Sequence, residues 1–243
     1  MQEIAIEQAV TVGEEDFKTL IDQDIAYIDK TGSIEKFFVS PKENGKRTGS
    51  SLTSAKVTLI TRPRRFGKTL TLSMLKYFLE MNYQNPGDKS EAEKLFKGLA
   101  ISENEDFCQR YMSEYPVILI SLKGVDGETF TGALSRLLSV IKELYAYFAF
   151  IENNEALDEY DRKEFRFIRD FTCDGNIDLF NTSNQLKATT AILDSVKTLT
   201  RLLNKVYGRK SIVLIDEYDV PLQKAQVNGY YNQIKVSQTL GLY

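Results

Sequence analysis

Apolar residues follow two rhythms along this chain. Unbroken runs mark strands at Val57-Thr58-Leu59-Ile60, at Pro116-Val117-Ile118-Leu119-Ile120-Ser121-Leu122 and at Ser211-Ile212-Val213-Leu214-Ile215. Runs of this kind predict strands covered on both faces, as in a parallel sheet. Helical spacing governs the stretches between them. Leu70, Leu72, Met74, Leu75, Tyr77, Phe78 and Leu79 leave little polar face, so that helix is expected to be covered on most sides. Leu134, Leu137, Leu138, Ile141, Leu144, Tyr145 and Phe148 form a second stripe, and the aromatic run from Tyr145 to Phe150 reads as core-facing, with a partner surface as the alternative. Ile192, Val196, Leu199, Leu203 and Val206 form a third, with Gly208 as its C-cap. Charged helices are expected over 90–97 and 155–170, and two short helical pieces between 14 and 38.

Alternation of strand and helix predicts an α/β fold whose right-handed crossovers give a mainly parallel sheet of at least three strands. Residues 1–13 read as a loosely held arm, and 14–243 as one domain. Within it, 41–55 (PKENGKRTGSSLTSA) lacks periodicity and reads as an exposed, mobile loop. Pro86-Gly87 and Gly124-Val125-Asp126-Gly127 mark turns, and about 128–207 forms a helical insertion between the second and third runs.

Composition narrows the chemistry. With 42% hydrophobic and 27% charged residues the chain is ordinary for a globular domain, and its net charge of −3 gives no global pull toward nucleic acid or an anionic membrane. No apolar run is long enough to cross a bilayer, and the opening Met-Gln-Glu-Ile-Ala-Ile-Glu has no secretory pattern. There is no histidine, which removes histidine bases and nearly every catalytic zinc site. The two cysteines, Cys108 and Cys173, are far apart and are expected as free thiols in a reducing, cytoplasmic setting. What remains is carboxylates, lysine, arginine, hydroxyls and a metal held by oxygen.

Such chemistry has a place to gather. After the first apolar run come Thr61-Arg62-Pro63-Arg64-Arg65-Phe66-Gly67-Lys68-Thr69-Leu70, opening into the first helical stripe. Strand, tight loop, Gly-Lys-Thr and helix in that order form the context of a phosphate-binding loop. The helix end points its N–H groups and positive dipole at the loop. Lys68 is placed to reach the terminal phosphates and the Thr69 hydroxyl to ligate Mg²⁺. Arg62 stands where the usual pattern has its first glycine, giving a stiffer, strongly cationic loop.

The third run delivers Asp216 and Glu217 at its carboxyl end, where ligands bind in open α/β sheets. Asp216 is placed to hold Mg²⁺ opposite Thr69. Glu217 is placed to orient and deprotonate a water attacking the γ-phosphate. A second acidic pattern, Asp161-Arg162-Lys163, echoes a D-x-K nuclease element but falls in a solvated helical run, and we reject it.

Three motifs together, Tyr27-Ile28-Asp29-Lys30-Thr31, Thr61 to Leu70, and Leu214-Ile215-Asp216-Glu217-Tyr218-Asp219-Val220-Pro221, resemble the AAA-ATPase-like family of predicted ATPases. A glycine-poor R-P-R-R-F-G-K-T loop is normal there, so the resemblance removes the difficulty of Arg62. It implies a three-layer P-loop NTPase fold, ATP and Mg²⁺ as cofactors, and nucleotide contacts from 62–70. It also implies that the segment before the P-loop covers the base and ribose, which nominates Tyr27 and Asp29. The alternative is that Tyr27 and Ile28 are core and Asp29 caps the next helix. Members often carry a nuclease-like domain, so such a domain or protein is an implied partner. Related ATPases also insert a later strand bearing a γ-phosphate sensor beside the P-loop strand. Leu222 to Tyr243 read as one helix and a tail, so the sheet is expected to be incomplete, as in the front portion of a larger ATPase. Three functions fit: an Mg²⁺-dependent ATPase, a nucleotide-dependent switch or scaffold with little turnover, and an inactive fragment.

Overall fold

The computed structural model describes residues 13–38, 57–61, 66–173 and 178–233. The chain divides into two compact units at the Tyr115–Pro116 bond.

In the first unit, α1 (Phe17–Asp22) and a 3-10 helix over Thr31–Phe37 flank the Tyr27–Thr31 segment. Next come α2 (Lys68–Leu79), α3 (Ser90–Phe96), a short 3-10 turn at Ala100–Glu103 and α4 (Glu105–Tyr111). Three fully buried phenylalanines tie this unit together. Phe96 of α3 stacks on Phe17 of α1 at 5.0 Å and meets Phe78 of α2 edge-on at 5.3 Å. No residue of α2 is exposed, in keeping with its nearly all-round apolar pattern. The segment after α2 returns to the chain before the unit boundary, where the Tyr115 N–H donates to Leu79 O (3.0 Å) and the Met81 N–H to Tyr115 O (2.9 Å).

The first apolar run departs from expectation. Residues 57–61 form no strand, and Val57 and Leu59 are exposed. An apolar run becomes a strand only where a neighbour takes up its N–H and C=O groups. Among the described residues the only ladder lies in the second unit.

That ladder joins β1 (Val117–Ser121) and β2 (Ile212–Asp216), parallel and in register from Val117↔Ile212 to Ser121↔Asp216. β1 reads as the sequence predicts, with Val117, Ile118 and Ile120 all buried. β2 does not. Leu214 and Asp216 are buried but Ile215 is exposed, so its cover is one-sided rather than two-sided.

The crossover between the strands carries α5 (Phe130–Tyr147), α6 (Glu159–Cys173) and α7 (Thr182–Tyr207), which pack on one another pairwise. Gly208 ends α7 with φ 65°, its N–H donating to Asn204 O (2.9 Å) as a C-cap should. Of the aromatic run, Tyr145 and Phe148 are buried while Tyr147 and Phe150 are exposed. The Asp161-Arg162-Lys163 segment is helical as expected, but Asp161 is buried rather than solvated. Arg201 and Lys205 of α7 reach it, Arg201 at 2.6 Å. After β2, α8 (Val220–Val227) starts with Pro221 in its first turn, where a missing N–H costs nothing.

Cys108 is a free, half-buried thiol donating to Ile101 O (3.3 Å). Most of the N-terminal arm, the 41–55 loop and Arg62 to Arg65 lie outside the described residues. No helix among the described residues is long and apolar enough to cross a membrane.

Candidate functional site

The Gly-Lys-Thr motif sits where a helix begins. Gly67 is the N-cap of α2 with φ 71°, a left-handed backbone that glycine reaches without steric cost. A Cβ on Gly67 would meet nothing within 4 Å among the described residues, so among them conformation and not crowding demands glycine here. The Gly67 carbonyl accepts from the Thr71 N–H (2.9 Å) and the Thr71 hydroxyl (2.7 Å), which starts the helix. Lys68 and Thr69 follow as its first two residues, both half-buried, and Leu70 completes the first turn. Phe66, just before the cap, is exposed. The first N–H groups of a helix have no intrahelical acceptor, and this end therefore favours an anion.

The back of α2 is anchored by a residue the sequence reading passed over. Asp16 caps α1 through Oδ1, which accepts from the Thr19 N–H (2.8 Å) and hydroxyl (2.9 Å). Its Oδ2 accepts from the Ser73 hydroxyl (3.2 Å) and the Tyr77 hydroxyl (3.0 Å) of α2. The Phe17 N–H also donates to Ser73 Oγ (2.9 Å). Burial pushes the Asp16 carboxyl up, but donors from Thr19, Tyr77 and Ser73 outweigh it and hold the group below its ordinary value. Burial and this carboxylate push the Tyr77 hydroxyl well above the ordinary tyrosine range. The available signal was Asp16 three residues before Thr19, an N-cap pattern.

The Tyr27–Thr31 segment is fixed by backbone contacts. Asp29 Oδ1 accepts from the Thr31 N–H (2.8 Å) and hydroxyl (2.7 Å), and Oδ2 from the Ala100 N–H (2.6 Å). Buried Thr31 extends the link, its Oγ1 accepting from the Ile101 N–H (3.1 Å). Burial raises the Asp29 carboxyl, yet the Ala100 and Thr31 donors prevail and lower it overall. The Tyr27 hydroxyl accepts from the Lys30 N–H (3.1 Å) and lies 3.6 Å from Met74 Sδ of α2, and its ring meets Phe17 edge-on at 5.6 Å. Ile28, between them, is 80% exposed and so is not core.

In the second unit, Asp216 ends β2 at 4% exposure, opposite Ser121 of β1. The Leu122 N–H donates to Asp216 O (3.0 Å) and continues the ladder one step. Glu217 then turns the chain with φ 54°, a conformation costing a side-chain-bearing residue about 1–2 kcal/mol. The Val220 N–H closes the turn on Glu217 O (3.0 Å). Asp219 accepts from Gln223 Nε2 (2.6 Å) through Oδ2, while its Oδ1 is buried with no hydrogen-bond partner among the described residues. Lys68 and Thr69 thus belong to the first unit, and Asp216 and Glu217 to the second.

No group of three or more His, Cys, Asp or Glu side chains able to hold a metal occurs among the described residues. Mg²⁺ does not require one. It takes one or two protein ligands and completes its shell with water and phosphate oxygens. A threonine hydroxyl and a carboxylate, as at Thr69 and Asp216, are donors of the right class.

The searches of curated proteins and of solved structures returned no match. A family profile described as a predicted AAA-ATPase matches residues 11–240, a span that includes the Gly67-capped helix and the Asp216-Glu217 turn. The chain belongs to the AAA-ATPase-like family.

Proposed function

We propose that this protein binds ATP at the start of α2 and hydrolyses it in an Mg²⁺-dependent reaction. The observation that carries the reading is Gly67, left-handed and capping the helix whose first residues are Lys68 and Thr69. Arg62, Pro63, Arg64, Arg65, Phe66 and Leu70 complete the phosphate-binding stretch, with the arginines adding positive charge before the helix. Lys68 contacts the terminal phosphates as a point charge. Thr69 and Asp216 hold Mg²⁺, which when bound neutralises charge on the phosphate oxygens. Glu217 accepts the proton of the attacking water. Its left-handed backbone supports that role, because strain held by the surrounding fold gathers at working residues. Tyr27 lies against α2 and is assigned to the base-covering segment, with Asp29 holding that segment in shape.

The test has two arms. A fluorescent ATP analogue should bind the wild type, and Lys68→Ala should weaken binding at least tenfold. Phosphate release should fall about 100-fold in Glu217→Gln while analogue binding persists. Binding without turnover in the wild type would leave the switch reading, and turnover untouched by Glu217→Gln would remove the proposed base.

A further inference from the structure

The segment from Asp216 to Tyr230, which carries the Glu217 turn and α8, is held at both ends by one loop, the stretch between β1 and α5. On the strand side, the Leu122 N–H donates to Asp216 O at 3.0 Å. Beyond α8, the Tyr230 hydroxyl donates to Gly127 O at 2.6 Å, and Asn228 Nδ2 approaches the same oxygen at 3.4 Å. Tyr230 is buried with Ala133 of α5 and Ala225 of α8, and Phe130 and Leu222 pack against them.

The receiving end of this clasp is rigid. A Cβ on Gly127 would lie 2.2 Å from the Ala133 N and 2.6 Å from the Gly132 carbonyl carbon, so the loop is pressed backbone to backbone on the start of α5. Thr129 caps that helix, its Oγ1 accepting from the Gly132 N–H (3.1 Å). Between the two anchor points stands Glu217 in its left-handed conformation, and α8 follows after only Tyr218 and Asp219.

We infer that Tyr230 is a positioning residue for Glu217: by clasping Gly127 it fixes α8 against the β1–α5 loop and so holds the Glu217 turn in its strained form. The inference rests on the reading of Glu217 as the base, and Tyr230 contacts neither nucleotide nor water in it. Movement of the α5 end of the helical crossover would reach Glu217 through this clasp, which gives the crossover a route to control turnover.

The variant is Tyr230→Phe, which removes the hydroxyl and leaves the ring in its apolar pocket. Amide hydrogen exchange of the full chain reads the geometry without any need for catalysis. Exchange at the Val220 N–H, bonded to Glu217 O, should quicken about tenfold while amides in the middle of α2 stay unchanged. In phosphate release, kcat should fall about tenfold with KM for ATP unchanged, and Tyr230→Phe should add nothing in a Glu217→Gln background. Unchanged exchange at Val220 overturns the proposal. So does a kcat loss that persists undiminished in the Glu217→Gln background, because Tyr230 would then act elsewhere. If the wild type shows no turnover, the hydrolysis reading fails by itself and the exchange result still decides whether the clasp holds the turn.

Discussion

The positions of Gly67 and Gly127 both favour glycine, for opposite physical reasons. At Gly67 the space is open among the described residues, and the backbone angle is what disfavours a side chain. Gly67→Ala should therefore cost the fold about 1 kcal/mol, the penalty for a left-handed alanine, and weaken ATP binding by distorting the cap. At Gly127 the obstacle is backbone 2.2 Å away, which no rotamer change relieves. Gly127→Ala should cost about 3 kcal/mol and should loosen the Glu217 turn as well. Urea unfolding of both variants checks the ordering, and a larger loss at Gly67 would contradict it. The sequence revealed Gly67 through its Gly-Lys-Thr neighbours, but nothing adjacent to Gly127 announces a contact with Tyr230, 103 residues away. Asp29 shows a different limit. A carboxylate before a helix fits a cap and a ligand contact alike, and only the Ala100 and Thr31 donors reveal what its oxygens touch.

Among the elements, most helices were legible, α4 excepted, and the strands only partly so. A helix satisfies its own backbone, and the stripes over α2, α5 and α7 say which face is covered. A strand depends on neighbours that the local sequence does not contain. That is why 57–60 reads as a buried strand while Val57 and Leu59 lie exposed, and why β2 is covered on one side only. Charge pairing between helices was equally hidden. Asp161 of α6 has a side chain only 2% exposed and is held by Arg201 and Lys205 of α7, with Arg201 also reaching Glu164 at 2.6 Å. Burial opposes its ionisation, but Lys205 and Arg201 outweigh burial and bring the carboxyl from 3.8 to about 2. A carboxyl lowered by folding adds stability that is complete above its unfolded value and lost as pH falls through its folded value. The α5–α7 bundle should therefore lose part of its stability between about pH 4 and pH 2, and Asp161→Asn should abolish that part. The partners are not equivalent. Replacing Arg201 and Lys205 together by Met strands a buried carboxylate and should cost about 3 kcal/mol near neutral pH. Asp161→Asn should cost less, because both cations are partly exposed and can turn to water. Denaturant titrations at pH 7 and pH 3 measure both effects.

For the whole molecule, the proposed chemistry needs residues from both units, the phosphate-binding helix start from the first and the paired carboxylates from the second. That division gives a sharp test. A ligand bound only by the native state stabilises it by RT ln(1 + [L]/Kd), about 2.7 kcal/mol at a hundredfold excess over Kd. If ATP and Mg²⁺ engage both sets of residues, hydrogen exchange should slow in both places, at the first turn of α2 and at the Val220 amide beyond Glu217. Lys68→Ala should remove both effects together. Asp216→Asn should remove the second-unit effect while leaving much of the first, because the helix start and Lys68 still receive the phosphates. Chelating Mg²⁺ should act on the wild type as Asp216→Asn does. Protection confined to α2 under all these conditions would reduce the protein to a phosphate-binding helix and separate Glu217 from the reaction.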